Sequence, residues 1–144
     1  MCACGRARLN CVGRNNCMFN LTAMGAHAMV GALDVSWTAA LSGLQGVLGA
    51  SNGTVGEIGV HHGGYFAALA SLAWPGEPLW ACDLFDELQS QNLDRSGRGN
   101  MQAFFRTLHA HTGRDDVQME VRPSYELWRD RIAPPSPFRL LSVD

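Results

Sequence analysis

The stretch Val55-Gly56-Glu57-Ile58-Gly59-Val60-His61-His62-Gly63-Gly64 limits the possible folds more than any other part of the chain. It reads as a short buried strand, a tight glycine turn and a helix that begins at Tyr65. Glycine is favoured where the backbone turns with positive φ or lets a ligand approach the main chain. A strand, glycine loop and helix in that order put the turn at the carboxyl end of a parallel sheet, where open α/β folds bind their ligands. The residues therefore predict a small-molecule pocket on an α/β scaffold.

Spacing narrows the ligand. A dinucleotide loop requires Gly-x-Gly-x-x-Gly, the middle glycine admitting a pyrophosphate to the backbone. Gly59 and Gly64 suit the outer positions, but His61 holds the middle one and its side chain would crowd that group. Glu57 adds a carboxylate at the strand end, which repels phosphate and welcomes a cation. Adjacent His61 and His62 are poor joint metal ligands without a cysteine or histidine at ligand spacing, so His61 is read as a pocket-lining or backbone-capping residue.

Downstream, Phe66, Leu69, Ala70 and Ala73 form a helical stripe closed by Trp74-Pro75-Gly76. Leu79 to Asp83 is a short apolar strand ending in a carboxylate, 24 residues after Gly59. A carboxylate there can accept two ribose hydroxyls at once, with Asp86 as the competing acid if the strand ends later. The polar run from Gln89 to Gly99 reads as a long loop, with Arg95 or Arg98 as a contact for an acidic or hydroxylated ligand group. Met101, Phe104, Phe105 and Leu108 specify an amphipathic helix stopping at Gly113, and Val117, Met119 and Val121 alternate as a strand. Ser124 is a candidate N-cap for a helix over Tyr125 to Ile132. Phe138 to Asp144 then reads as a fourth strand.

Glu57-x-Gly59-x-x-x-Gly63 after a strand, Asp83 closing a second strand and Asp144 closing a fourth resemble class I S-adenosylmethionine-dependent methyltransferases, nearest to the small-molecule group related to macrocin O-methyltransferase. The likeness covers Leu41 to Asp144. It implies a Rossmann-like parallel sheet with flanking helices, incomplete at about four strands, and methyl transfer to a small molecule. By this resemblance Glu57, Gly59, His61, Gly63, Gly64 and Asp83 hold S-adenosylmethionine, and Ser124 and Tyr125 flank its adenine. The amino end of the first helix would receive the methionyl carboxylate. Asp144 would face the methyl group as a base or as a ligand to a divalent metal. The family's later strands do not follow Asp144, so a truncated domain is expected, with self-association through the exposed fourth strand. The alternative is a non-catalytic nucleotide-binding or interaction fragment completed by a partner chain.

A length of 144 residues predicts one domain, 34–144, preceded by a poorly ordered or targeting-like segment, 1–33. That segment carries Arg6, Arg8 and Arg14 and no acid before Asp34, as organelle transit peptides do, yet it has no serine before Ser36; a cytoplasmic location is the other reading. It falls short of the ~20 consecutive apolar residues of a membrane span. Its four cysteines lack zinc-ribbon spacing and are read as reduced thiols. A net charge of −2 argues against nucleic acid, and the absence of lysine excludes Schiff-base chemistry. Trp37, Leu41, Leu44 and Leu48 predict a helix between Asp34 and Gly49.

Overall fold

A computed structural model of the chain describes residues 10–11, 17–18, 40–41, 43–44, 53–91 and 98–144. Four parallel strands form one sheet: β1 (Thr54–Ile58), β2 (Leu79–Asp83), β3 (Val117–Val121) and β4 (Phe138–Val143). Helix α1 (Gly64–Ala70) joins β1 to β2, α2 (Met101–Thr112) joins β2 to β3, and the short α3 (Ser124–Arg129) lies between β3 and β4. The strand order is β3-β2-β1-β4, so the chain steps outward from β1 on one side and returns to its other side. This is a Rossmann-like α/β arrangement, as the alternation of strands and helices in the sequence predicts.

Near-continuous apolar runs suit strands covered on a face by crossover helices. Val55, Leu79 and Ala81 pack with Phe66 and Leu69 of α1 and with Phe104 and Leu108 of α2, all buried. Gly63, left-handed at φ 79°, explains how the two helices come so close: a Cβ there would lie 2.8 Å from the Phe104 ring. Helix α2 is bounded by Asn100, whose side chain accepts from the Ala103 N–H at 2.9 Å, and by left-handed Gly113. The predicted stop at Gly113 holds.

At the amino end of the sheet the register between β1 and β4 shifts, Thr54 facing Phe138 and Val55 facing Leu140. The extra residue is Arg139. Its guanidinium clasps Glu77 with two bonds of 2.7 and 2.6 Å, and Glu77 also accepts the Trp74 N–H. This ion pair ties the α1–β2 turn to the bulge in β4.

Four local expectations need correction. The first helix starts at Gly64, one residue before Tyr65. Ser124 does not cap α3: Pro123, with φ −61° and ψ 138°, is the extended capping residue, and Ser124 is the first helical one. Proline's fixed φ and missing N–H make it suited to the helix entrance. The helix also ends at Arg129 rather than Ile132. Finally, the polar run after β2 is not all loop, since Asp86–Gln91 forms a 3₁₀ helix. Of the predicted Asp34–Gly49 helix, Ala40, Leu41, Gly43 and Leu44 are helical, with Leu41 against the core; Asp34, Trp37, Leu48 and Gly49 lie outside the described residues. Of segment 1–33 only a two-residue antiparallel pair, Asn10–Cys11 with Cys17–Met18, is described. No described helix is long and apolar enough to cross a membrane.

Candidate functional site

The carboxyl ends of β1, β2 and β4 meet at Gly59. Its N–H donates to the Cys82 carbonyl at 2.8 Å, while the Asp144 N–H donates to the Ile58 carbonyl at 2.9 Å. Ile58 pairs with Cys82 on one side and Val143 on the other, so Asp83 and Asp144 stand level with Gly59. Neighbouring strands lie about 4.8 Å apart, which puts the two aspartate backbones roughly 10 Å from each other across the glycine. Gly59 has φ 88°, and a Cβ there would come within 3.0 Å of the Asp144 carbonyl oxygen. Only glycine satisfies both the conformation and the approach.

Glu57 is two residues earlier on β1 and 2% exposed. Alternation along a strand sends Glu57 to the same face as Val55, the face that α1 and α2 cover. Glu57 pairs with Ala81, and Asp83 is two residues beyond Ala81, so the two acids share that face at the same end of the sheet. The two acids thus lie on the same face of the sheet, Glu57 one residue short of the end of β1 and Asp83 at the end of β2.

The elbow itself is a tight turn in which the Gly63 N–H donates to the Val60 carbonyl at 2.7 Å. His61 sits in it with φ 52°, half-buried, and its N–H donates to Asp83 Oδ2 at 2.7 Å. Its ring meets that of His62 edge-on at 4.0 Å. Desolvation first, and coulombic repulsion from His61 second, hold the His62 imidazole below its ordinary pKa. The other oxygen of Asp83 accepts the Phe85 N–H at 2.8 Å. Asp86 is exposed, three residues past the strand, and accepts from the Asn100 amide at 3.1 Å. Asp83, not Asp86, is therefore the strand-end acid.

Not every expected residue reaches the elbow. Ser124 is exposed at the start of α3, beyond β3 on the outer side of β2, and Tyr125 beside it is 55% exposed. Gly64 opens α1. Asp144 is exposed. Arg98 is exposed next to buried Gly99, and Arg95 lies outside the described residues. Cys82, just before Asp83 on β2, is buried, and burial first and the Asp83 charge second push its thiol up to about 12. Among the described residues no three histidine, cysteine, aspartate or glutamate side chains gather as a metal site.

Two contributors have no counterpart in the sequence reading. Gly99 rides over the elbow, where a Cβ would lie 3.0 Å from His61 Cα and 3.2 Å from Asp83 Oδ1. Phe85 supplies the second donor to Asp83. The second was open to detection, because an aspartate commonly bonds the backbone two residues on. Asn100, directly before the apolar period starting at Met101, carried a similar capping signal.

No protein-family model matches the chain, and a search of curated proteins finds no significant match.

Proposed function

We propose that the chain binds S-adenosylmethionine at the Gly59 elbow and directs methyl transfer to a small-molecule acceptor. The observation that carries this reading is the placement of Glu57 and Asp83 on one face of the sheet, next to an elbow whose middle position is His61 rather than glycine. Such a pocket favours a nucleoside with a positive charge and no pyrophosphate. When bound, S-adenosylmethionine supplies a methyl group already activated on a sulfonium sulfur. The residues then have simple tasks. Asp83 accepts the ribose hydroxyls with the lone pairs its two backbone donors leave unused. Buried Glu57 lies beneath the elbow on β1, and Asp144 takes the proton released by the acceptor as the methyl carbon leaves sulfur and bonds to the acceptor. Proximity and alignment supply most of the acceleration that such a transfer needs. Asp144 would offer a divalent ion a single side-chain carboxylate, with no group of three ligating side chains among the described residues.

A second reading, nucleotide binding without transfer, draws support from the exposure of Asp144 and of Val143, which is 68% accessible. The acceptor side of the elbow is then open to water unless another surface covers it. Self-association along β4, an outer strand of the described sheet, would provide one.

Calorimetric titration with S-adenosylhomocysteine tests the binding. The expected result is saturable heat that Asp83→Asn weakens by about tenfold or more, the loss expected for a hydrogen bond to a charged group. Absence of heat with the native chain refutes both readings. Binding without transfer to any of a panel of hydroxyl, amine and carbon acceptors selects the second.

A further inference from the structure

Asp83 is gripped in an unusual manner. Among the described residues three that are not glycine have positive φ: His61 at 52°, Phe85 at 47° and Arg131 at 54°. The first two are the residues whose N–H groups bind Asp83, one to each oxygen. L residues avoid this region because Cβ crowds the carbonyl, and such outliers persist only where their surroundings over-determine them. Those surroundings are present. The Phe85 ring is fully buried and meets Phe104 edge-on at 6.1 Å. The His61 backbone is hemmed in by Gly99, whose own missing Cβ would also touch Asp83. Two segments therefore hold one carboxylate, the elbow and the end of β2, while Gly99 at the entrance to α2 closes in beside it.

A carboxylate oxygen has two lone pairs, and here the backbone takes one from each. The second pair on each oxygen is left at a fixed rotation of the side chain. We propose that His61 and Phe85 are positioning residues, whose left-handed backbones lock Asp83 so that it meets two neighbouring hydroxyls without reorienting and so sets the preference for a vicinal diol. This rests on the reading of Asp83 as the ribose acceptor. The imidazole of His61 and the ring of Phe85 do not touch the hydroxyls; they act through the backbone.

The test compares S-adenosylhomocysteine with its 2′-deoxy analogue, titrated into the full chain and its variants. Native protein should prefer the diol by about tenfold or more, the size expected of a hydrogen bond to a charged group. His61→Asn, a residue that tolerates left-handed backbone, should keep that preference. His61→Val, whose β-branch resists φ near 52°, should reduce it to about twofold or less. Phe85→Leu keeps apolar bulk but loses the ring contact with Phe104, and should also lower the preference; it stands in if His61→Val does not fold, as judged by circular dichroism. Folded His61→Val or Phe85→Leu protein that binds both ligands more weakly at an unchanged ratio overturns the proposal while leaving Asp83 as the acceptor. Native protein with no preference removes the ribose reading, and the clamp falls with it.

Discussion

The two ends of the sheet handle their carboxylates differently. At the amino end Glu77, its side chain 3% exposed, is paired through two bonds with Arg139, whose side chain is 12% exposed. Nearby Asp116 is paired through two bonds with Arg114, which also donates to the Glu77 carbonyl. At the carboxyl end Asp83 and Asp144 make no ion pair among the described residues, and Asp83 is held by backbone N–H groups alone. Guanidinium pairing neutralises one end and makes it a fastening. Backbone donors orient a carboxylate without cancelling its charge, so Asp83 itself is not neutralised by a guanidinium there, while Arg122 pairs instead with Glu120 at 3.2 Å and with Asp130 at 3.4 Å. One pole fastens the sheet; in the proposed function the other receives the ligand.

Substitutions at each pole can break this division. The largest effect is expected from Arg139→Ala, which leaves Glu77 buried without its cation. Removing one partner of a buried pair costs about 3–5 kcal/mol. Urea unfolding followed by circular dichroism should show that loss, whereas affinity of the remaining folded protein for S-adenosylhomocysteine should stay within about twofold, because the pair stands at the far end of the strands. A large change in affinity would mean that the poles are coupled. Gly63→Ala comes next. A left-handed residue and a Cβ 2.8 Å from the Phe104 ring together cost about 2–4 kcal/mol, and the melting temperature reads it directly. Asn100→Ala removes the α2 cap and should cost about 1 kcal/mol. Its amide also bonds Asp86, so a larger loss would show that the entrance to α2 supports the elbow as well as the helix.

The smallest effect concerns acid. Hydrogen bonding from Arg114 is the first cause, and its charge a further one, holding Asp116 below the ordinary carboxylate range against some desolvation. A lowered folded-state pKa means stability that is present above the unfolded value and lost as pH falls through the folded one. The Asp116 contribution should therefore be complete at neutral pH and fade below about pH 4. With the Asp116 side chain 70% exposed, solvent screening limits it to about 0.5 kcal/mol or less. Comparing native protein with Asp116→Asn by urea unfolding at pH 7 and pH 3 isolates this term. A difference above about 1 kcal/mol at pH 7 would place Asp116 in the same structural network as Glu77.

Much of this molecule is legible residue by residue. The β2 strand runs Leu79–Asp83 as expected, and α2 stops at Gly113, because alternation, the helical stripe and a left-handed glycine are local signals. Gly59 and Asp83 could be assigned to one strand end because order along a βαβ unit dictates which tips are neighbours. Other features needed partners far away in the chain. Arg139 and Glu77 are 62 residues apart and meet only because β4 shifts register at that point. Gly63 reads as a turn residue, but its steric demand comes from Phe104 on another helix. Ser124 looked like a cap because its type suits one, while the rigid φ of Pro123 had already set the helix entrance.

The order of residues thus determined the elements, the elbow and the type of each candidate side chain, since periodicity and glycine act within a few bonds. Which strands adjoin, which face Glu57 shares with Asp83, and the left-handed grip of His61 and Phe85 on that carboxylate were decided by tertiary packing. Those contacts join segments tens of residues apart, and only the assembled sheet supplies the geometry that makes them favourable.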